Sequence, residues 1–197
     1  SNESYIQECR NIEMMEHCMV DGLLISVCDK ERNTDVYRRI VSRGTPVVFF
    51  DRTIDNVEAS QVRSDDYIMA FFMVEQLIRS GNKRIVHIPG PSRIRNAYER
   101  QRGYRDALEK FHVDFNPDLV LPPALSAEEG SQVMDNFLDR NIPFDAVFGF
   151  TETALIGAKN LIQKRGLRIP DDVRVCCMAA PRSALLYTPP LPLLNSP

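Results

Sequence analysis

The segment PVVFFDR, residues 46–52, decides how this sequence is interpreted. Its five apolar residues are typical of a buried strand, and they are followed without a turn by Asp51 and Arg52. Just before the segment, Gly44 ends a helical pattern over residues 32–43. A helix that ends at glycine and leads into a short buried strand is part of a βα repeat. The segment therefore favours a parallel α/β fold.

The same alternation continues on both sides of this segment. Further helices are predicted over residues 4–18, 66–80, 96–111, 126–139 and 153–165, and strands over 23–27, 46–50, 84–88, 119–121, 146–150 and 173–178. Residues 53–64 are polar and aperiodic, and they are predicted to be irregular. Short apolar strands alternating with helices of roughly 12–15 residues imply parallel sheets with helices on both faces and right-handed crossovers.

Two segments interrupt this alternation, residues 53–65 and the proline-rich tail 181–197. In a single-sheet protein both would be long surface loops, which are uncommon in compact domains. Two doubly wound lobes joined by crossing strands explain both segments. We predict a first lobe from residues 1–62 and 183–197, and a second lobe from residues 63–182.

Composition limits the class of protein. The chain has 197 residues, of which 44% are hydrophobic and 26% charged, as in ordinary soluble globular proteins. It contains no apolar run of the roughly 18 residues that a membrane span needs, and the N-terminal SNESYIQECR lacks the layout of a signal peptide. The five cysteines show no CxxC or Cys/His ligand spacing. We therefore expect a cytoplasmic protein without disulfides, bound metal or membrane contact.

The net charge of -3 gives no overall attraction to nucleic acid, but one region is strongly basic. Residues 83–105 contain one acidic residue, Glu99, and seven basic residues. The basic residues are Lys83, Arg84, Arg93, Arg95, Arg100, Arg102 and Arg105. Two interpretations remain open. The cluster is either a phosphate-binding face or a solvated helix face that includes one or two arginines with specific roles.

Polar residues that follow the strands are the candidates for a binding site, because ligands of open α/β sheets bind outside the carboxyl ends of the strands. Asp51, Arg52 and Thr151 occupy such positions. A carboxylate beside a guanidinium suits a polyhydroxylated ligand, because a sugar hydroxyl donates to the first and accepts from the second. The alternative is a surface ion pair or a bridge between the lobes.

An enzymatic function finds little support in the motifs. The sequence contains no GxGxxG, no GxxxxGK[ST], no GxSxG and no HExxH. The prolines that flank Gly90 have no N–H groups with which a loop could bind a phosphate. We therefore expect neither catalytic residues nor a cofactor.

The chain resembles the effector-binding domain of the lac-repressor (LacI/GalR) family of bacterial transcription regulators, and the resemblance extends over nearly its whole length. The motifs that carry it stand in order, and they are VDGLLI at 20–25, PVVFFDR at 46–52, SDD at 64–66, LIRSGNKRI at 77–85, PG at 89–90, RQRGY at 100–104, DAVF at 145–148, ALIGA at 154–158, GLRIPDDV at 166–173 and YTPPL at 187–191.

This resemblance implies a periplasmic-binding-protein-like fold of type I, with a small effector, often a sugar or sugar phosphate, between two lobes. It also implies a homodimer that contacts DNA only through a helix-turn-helix head, which this sequence does not contain. In sugar-binding members, the DR pair and the first arginine of RxxG[FY] commonly contact the ligand. The positions carried over are Asp51, Arg52 and Arg100, to which Asn96, Thr151 and Glu152 are added.

The sequence departs from the family pattern in two respects. Where the family usually has Gly-[Phe/Tyr]-Asp-Asp, residues 177–180 read CMAA, so Ala179 replaces an acid that often binds a sugar hydroxyl. Either the effector is atypical or the site is degenerate. The chain also lacks the family's first strand-helix-strand and its final helix, so we expect a fragment whose first lobe exposes edges to a partner chain or a further segment.

Two other functions share features with this interpretation. A sugar-binding protein of a transporter has the same fold, although five free cysteines argue against export. An α/β carbohydrate enzyme would use Asp51 or Glu152 as its acid.

Overall fold

The computed structural model describes residues 4–29 and 32–178. Its helices are α1 (Tyr5–His17), α2 (Thr34–Ser42), α3 (Asp66–Arg79), α4 (Arg95–Lys110), α5 (Ala127–Leu138) and α6 (Glu152–Lys164). Its strands are β1 (Leu23–Ile25), β2 (Val47–Phe50), β3 (Ser60–Val62), β4 (Ile85–Ile88), β5 (Ala146–Gly149) and β6 (Arg174–Cys177). The strands form two three-stranded parallel sheets, so the predicted α/β class is confirmed.

The chain divides into two compact units. Among the described residues, the first unit contains those up to Asp65 together with Arg93–Arg95, and the second contains Asp66–Ser92 and those from Asn96 to Met178. The predicted lobe boundaries stay a prediction. Residues 183–197, which were assigned to the first lobe, lie outside the described residues.

The first unit has the strand order β1-β2-β3. Helices α1 and α2 cover one face of this sheet, where the buried residues include Ile12, Leu23, Ile25, Tyr37, Ile40, Val47 and Phe49. The side chains of a strand alternate between faces, so the intervening residues point the other way. Three large apolar residues there, Leu24, Phe50 and Val62, are exposed in the described part of the chain.

The second unit has the strand order β4-β5-β6 and is covered on both faces. Helices α5 and α6 pack on one face, and α3 and α4 pack on the other. The neighbouring cysteines of β6 show this division, because Cys177 packs on the side of α5 and α6 and Cys176 packs on the side of α3 and α4. A sheet buried on both faces explains why β4 and β5 are buried at every position.

Two predicted elements are wrong. Residues 60–62, predicted to be irregular, form β3, which pairs in parallel with β2. Residues 119–121 were predicted to be a strand, but Leu119 ends a 3-10 helix (Pro117–Leu119) and Val120 forms only a single bridge with His87. The Asn116 side chain caps this short helix by accepting a hydrogen bond from the N–H of Asp118 at 2.9 Å.

One buried histidine makes the stability of the second unit depend on pH. His87 is fully buried against the rings of Tyr104 and Phe148, and its Nδ1 donates to the carbonyl oxygen of Phe148 at 3.0 Å. Burial lowers the pKa of His87 from 6.5 to about 4. The unfolded chain therefore binds the proton more readily, and stability is lost as the pH falls from 6.5 through about 4.

We expect the His87 contribution to the free energy of unfolding to fall by about 2 kcal/mol between pH 7 and pH 5. Urea unfolding at the two pH values measures the change, and His87→Phe, which cannot titrate, is the control. The variant should lose less stability than the wild type over this interval. An equal loss in both proteins would contradict the prediction.

Candidate functional site

In the first unit, the candidate residues lie where β2 ends. Asp51 adopts a left-handed backbone conformation with φ of 57°, which is costly for residues other than glycine but tolerated by aspartate. Its N–H donates to the carbonyl oxygen of Val62 at 3.1 Å, and its carboxylate accepts from the hydroxyl of Ser26 at 3.4 Å. The turn leaves the Asp51 carboxylate exposed at the carboxyl edge of the sheet.

The next residues line a small cavity in the same unit. The carbonyl oxygen of Arg52 accepts from the N–H of Val27 at 2.9 Å, which fixes the segment after β2 beside the segment after β1. The cavity has a volume of ≈ 20 Å³ and is called the arginine pocket below. It is lined by Val27, Cys28, Arg52, Thr53, Arg93, Ile94 and Arg95. Sequence reasoning found Arg52 but missed the contribution of Thr53 to this pocket.

A buried carboxylate holds the segment that borders the arginine pocket. Glu8 of α1 is 6% exposed, and its two carboxylate oxygens both accept from the N–H of Cys28 at 3.2 Å. It also accepts from the side-chain amide of Asn33 at 2.9 Å. Burial raises the pKa of Glu8, and these hydrogen bonds oppose the shift. Glu8 thus ties α1 to the segment after β1 and to the N-cap of α2. No sequence signal indicated this role.

In the second unit, Arg100 of α4 is the centre of the candidate site. Its Nε donates to the carboxylate of Asp66 at 2.7 Å, and its NH1 donates to the carbonyl oxygen of Phe150 at 2.6 Å. Its guanidinium also lies 4.8 Å from the centroid of the Phe150 ring. The side chains of Arg100 and Asp66 are only 12% and 7% exposed, so the guanidinium is held rigidly at the end of β5.

The other three predicted residues lie in the same unit, one on α4 and two at the start of α6. Asn96 lies one turn before Arg100 and is buried, and its Oδ1 has no hydrogen-bond partner among the described residues. Thr151 caps α6 by accepting from the N–H of Ala154 at 3.1 Å, and its hydroxyl donates to the carbonyl oxygen of Leu125. Glu152 begins α6. The charges of Glu152 and Arg100 both act on the pKa of Cys177, which burial raises to about 12.

The structure therefore brings the predicted residues together in two groups. Asp51 and Arg52 lie in the first unit, and Asn96, Arg100, Thr151 and Glu152 lie in the second. Their role in binding stays a prediction, and Ala179 lies outside the described residues. Within the described ranges, no cluster of three or more His, Cys, Asp or Glu side chains could hold a metal ion. In the same ranges, no helix is long and apolar enough to cross a membrane.

Parallel sheets whose polar and charged side chains follow the strands define an α/β ligand-binding class of protein. The family model described as the periplasmic binding protein domain matches residues 7–188. The chain belongs to this family.

Curated relatives of the chain include transcriptional repressors. The protein named "Probable HTH-type transcriptional repressor ExuR" of Bacillus subtilis (strain 168) is 29% identical over 170 residues, which are 86% of this chain and 51% of that protein. The ribose operon repressor of Haemophilus influenzae is 27% identical over 188 residues, covering 95% of this chain and 56% of that protein. The chain spans about half the length of these relatives.

Solved structures give the same result for the fold. The structure of the transcriptional regulator CelR in complex with cellobiose has a TM-score of 0.85 and 26% sequence identity, and the match covers 98% of this chain and 59% of that chain. The resemblance to the effector-binding domain of LacI-family regulators is thereby confirmed.

Proposed function

We propose that this chain is the effector-binding part of a bacterial transcription regulator that senses a sugar or sugar derivative. The observation that carries the proposal is the Arg100 guanidinium, which Asp66 and the carbonyl oxygen of Phe150 hold in place at the end of β5, in a chain whose relatives are named repressors. A planar guanidinium with fixed geometry suits directional hydrogen bonds to hydroxyl or carboxylate oxygens. The names of a ribose operon repressor and of a regulator in complex with cellobiose support the sugar class.

The remaining parts of the proposal concern the whole protein. The full-length regulator is cytoplasmic, is a homodimer and contacts DNA through a segment other than this effector-binding part. The effector acts by binding one conformation of the regulator more tightly than another, because only differential affinity shifts such an equilibrium. The domain binds its effector without converting it, so it is not an enzyme.

A thermal-shift screen of this chain against ribose, cellobiose and other sugars tests the proposal. A ligand present at 100 times its Kd adds about 2.7 kcal/mol to the stability of the folded form, so the Tm should rise by about 5–10 °C. The sugar recovered afterwards should be chemically unchanged. Consumption of the sugar would favour the carbohydrate enzyme, and no stabilisation by any sugar would contradict the proposal.

The matched variant for this screen is Asp51→Asn. Asparagine tolerates the left-handed backbone of residue 51, so the change removes the charge without disturbing the turn. We expect the variant to keep the Tm of the free wild type and to lose most of the shift produced by sugar.

A further inference from the structure

The arginine pocket has three properties that point to the kind of effector it binds. The first is its size. A volume of ≈ 20 Å³ is enough for about one water-sized group. A single oxygen atom of a ligand fits such a space, whereas a whole sugar ring does not.

The second property is its charge. Three of the residues that line the pocket are Arg52, Arg93 and Arg95. The NH1 group of Arg95 donates to both carboxylate oxygens of Asp55 at 2.9 and 2.8 Å, and Asp55 also binds Arg63 at 3.2 Å. The one Asp55 carboxylate is thus shared by two guanidinium groups, those of Arg95 and Arg63.

Arg93 brings a further positive charge to the pocket. It is exposed, and it forms no hydrogen bond or ion pair with any residue in the described part of the chain. The nearby carboxylates have other partners, since Asp51 accepts from Ser26 and Glu8 accepts from Cys28 and Asn33. An arginine in this position is available to an anion from solution.

The third property is a buried hydroxyl group. Thr53 lines the pocket and is 5% exposed, and its Oγ1 has no hydrogen-bond partner among the described residues. A buried polar group without a partner is unfavourable, and a ligand oxygen beside it would remove that cost.

From these properties we infer that the arginine pocket binds a carboxylate of the effector, so that the effector is a sugar acid. This inference rests on the proposed function, because it assigns the class of effector to a site at the edge that carries Asp51. One carboxylate oxygen enters the pocket beside Thr53, and the guanidinium of Arg93 balances the charge. A phosphate monoester carries nearly two negative charges at neutral pH and therefore matches the single charge of Arg93 less well than a carboxylate does.

Calorimetric titration of this chain with galacturonate, galactose and galactose 6-phosphate tests the inference. Galacturonate should bind at least tenfold more tightly than galactose, and its affinity should fall as the salt concentration rises. Arg93→Gln should weaken galacturonate binding about tenfold and leave galactose binding unchanged. Arg43→Gln, which changes an exposed arginine of the same unit, should alter neither affinity.

Thr53→Val separates binding from stability. Valine has nearly the shape of threonine but no hydroxyl, so removal of the buried group without a partner should raise the Tm by about 2–4 °C. The same change should weaken galacturonate binding about fivefold. A hydroxyl with only a structural role would not move these two quantities in opposite directions.

Three outcomes would overturn the inference. If galactose and galacturonate bind with equal affinity and Arg93→Gln changes neither affinity, the pocket does not bind a carboxylate, and the proposed function stays intact. Tighter binding of galactose 6-phosphate would replace the carboxylate with a phosphate. If none of the three compounds binds and no other sugar or sugar acid stabilises the protein, the proposed function is overturned as well.

Discussion

Replacing Arg100 with methionine is expected to lower the free energy of unfolding of the second unit by about 3–5 kcal/mol and to abolish stabilisation by sugars. The guanidinium binds the carboxylate of Asp66 and the carbonyl oxygen of Phe150, and both charged side chains are largely buried. Removing Arg100 takes from the buried Asp66 carboxylate its oppositely charged partner, which is the source of the large cost. Urea unfolding measures the first effect and the sugar screen measures the second.

Two further variants separate these effects. Arg102→Met lies on the same helix, but its ion pair with Glu99 is exposed, so we expect a loss below about 1 kcal/mol. Adding Asp66→Asn to Arg100→Met removes the buried negative charge, and it should recover part of the stability but none of the sugar binding. If Arg100→Met were as stable as the wild type, the buried ion pair between Arg100 and Asp66 would not contribute to the stability of the second unit.

Replacing Glu8 with alanine is expected to destabilise the first unit by about 2–3 kcal/mol and to weaken effector binding. The change removes the carboxylate that accepts from the N–H of Cys28 and from the amide of Asn33, which keeps its hydrogen bond to the carbonyl oxygen of Tyr5 at 3.3 Å. A buried donor that loses its acceptor costs about 1–3 kcal/mol. Cys28 lines the arginine pocket, so its backbone position matters for binding as well as for folding. Chemical denaturation and calorimetric titration measure the two effects.

The matched control is Glu8→Gln, which keeps an acceptor oxygen and nearly the same volume. Because burial raises the pKa of Glu8 above 4.5, the folded form binds its proton more tightly than the unfolded chain does. The stability that Glu8 contributes is therefore present below pH 4.5 and declines as the pH rises through the folded pKa. The stability of the wild type relative to Glu8→Gln should fall over this range, and a constant difference would show that the carboxyl does not titrate in the folded protein.

Periodicity was sufficient to predict the helices and most strands. For example, the pattern that ends at Gly81 predicts a helix over 66–80, and α3 covers Asp66–Arg79. The predicted strand 46–50 is β2, which covers Val47–Phe50. These elements could be predicted because each buries an apolar face, so the spacing of apolar residues reports the packing directly.

In the two misassigned segments, residues 60–62 and 119–121, the spacing of apolar residues does not report which face of a helix or strand is buried. Strand β3 has the sequence Ser60-Gln61-Val62, and none of its side chains is buried, so no apolar alternation marks it. Its pairing with β2 comes from backbone hydrogen bonds, which any sequence can form. In residues 119–121, the apolar side chains are a consequence of burial in a turn rather than in a strand, since Pro117 and the Asn116 cap favour a short helical turn.

The candidate site was only partly predictable for a related reason. Asp51 and Arg52 directly follow a recognisable strand, so their position at the sheet edge follows from the fold. Arg93 stands about 40 residues later in the sequence, and nothing in the chain between them indicates that it lines the same pocket as Arg52. The basic cluster over residues 83–105 was the available signal, but it could not distinguish an arginine that lines a pocket from arginines in surface ion pairs, such as Arg84 and Arg102.

The most direct test of effector binding is calorimetric titration of this chain with the sugar or sugar acid that raises its Tm most. We predict saturable binding of one ligand per chain, with the ligand recovered unchanged and with binding lost in Arg100→Met. Absence of saturable heat with any sugar, sugar acid or sugar phosphate at millimolar concentration would contradict it. Full binding by Arg100→Met would contradict the assignment of the site.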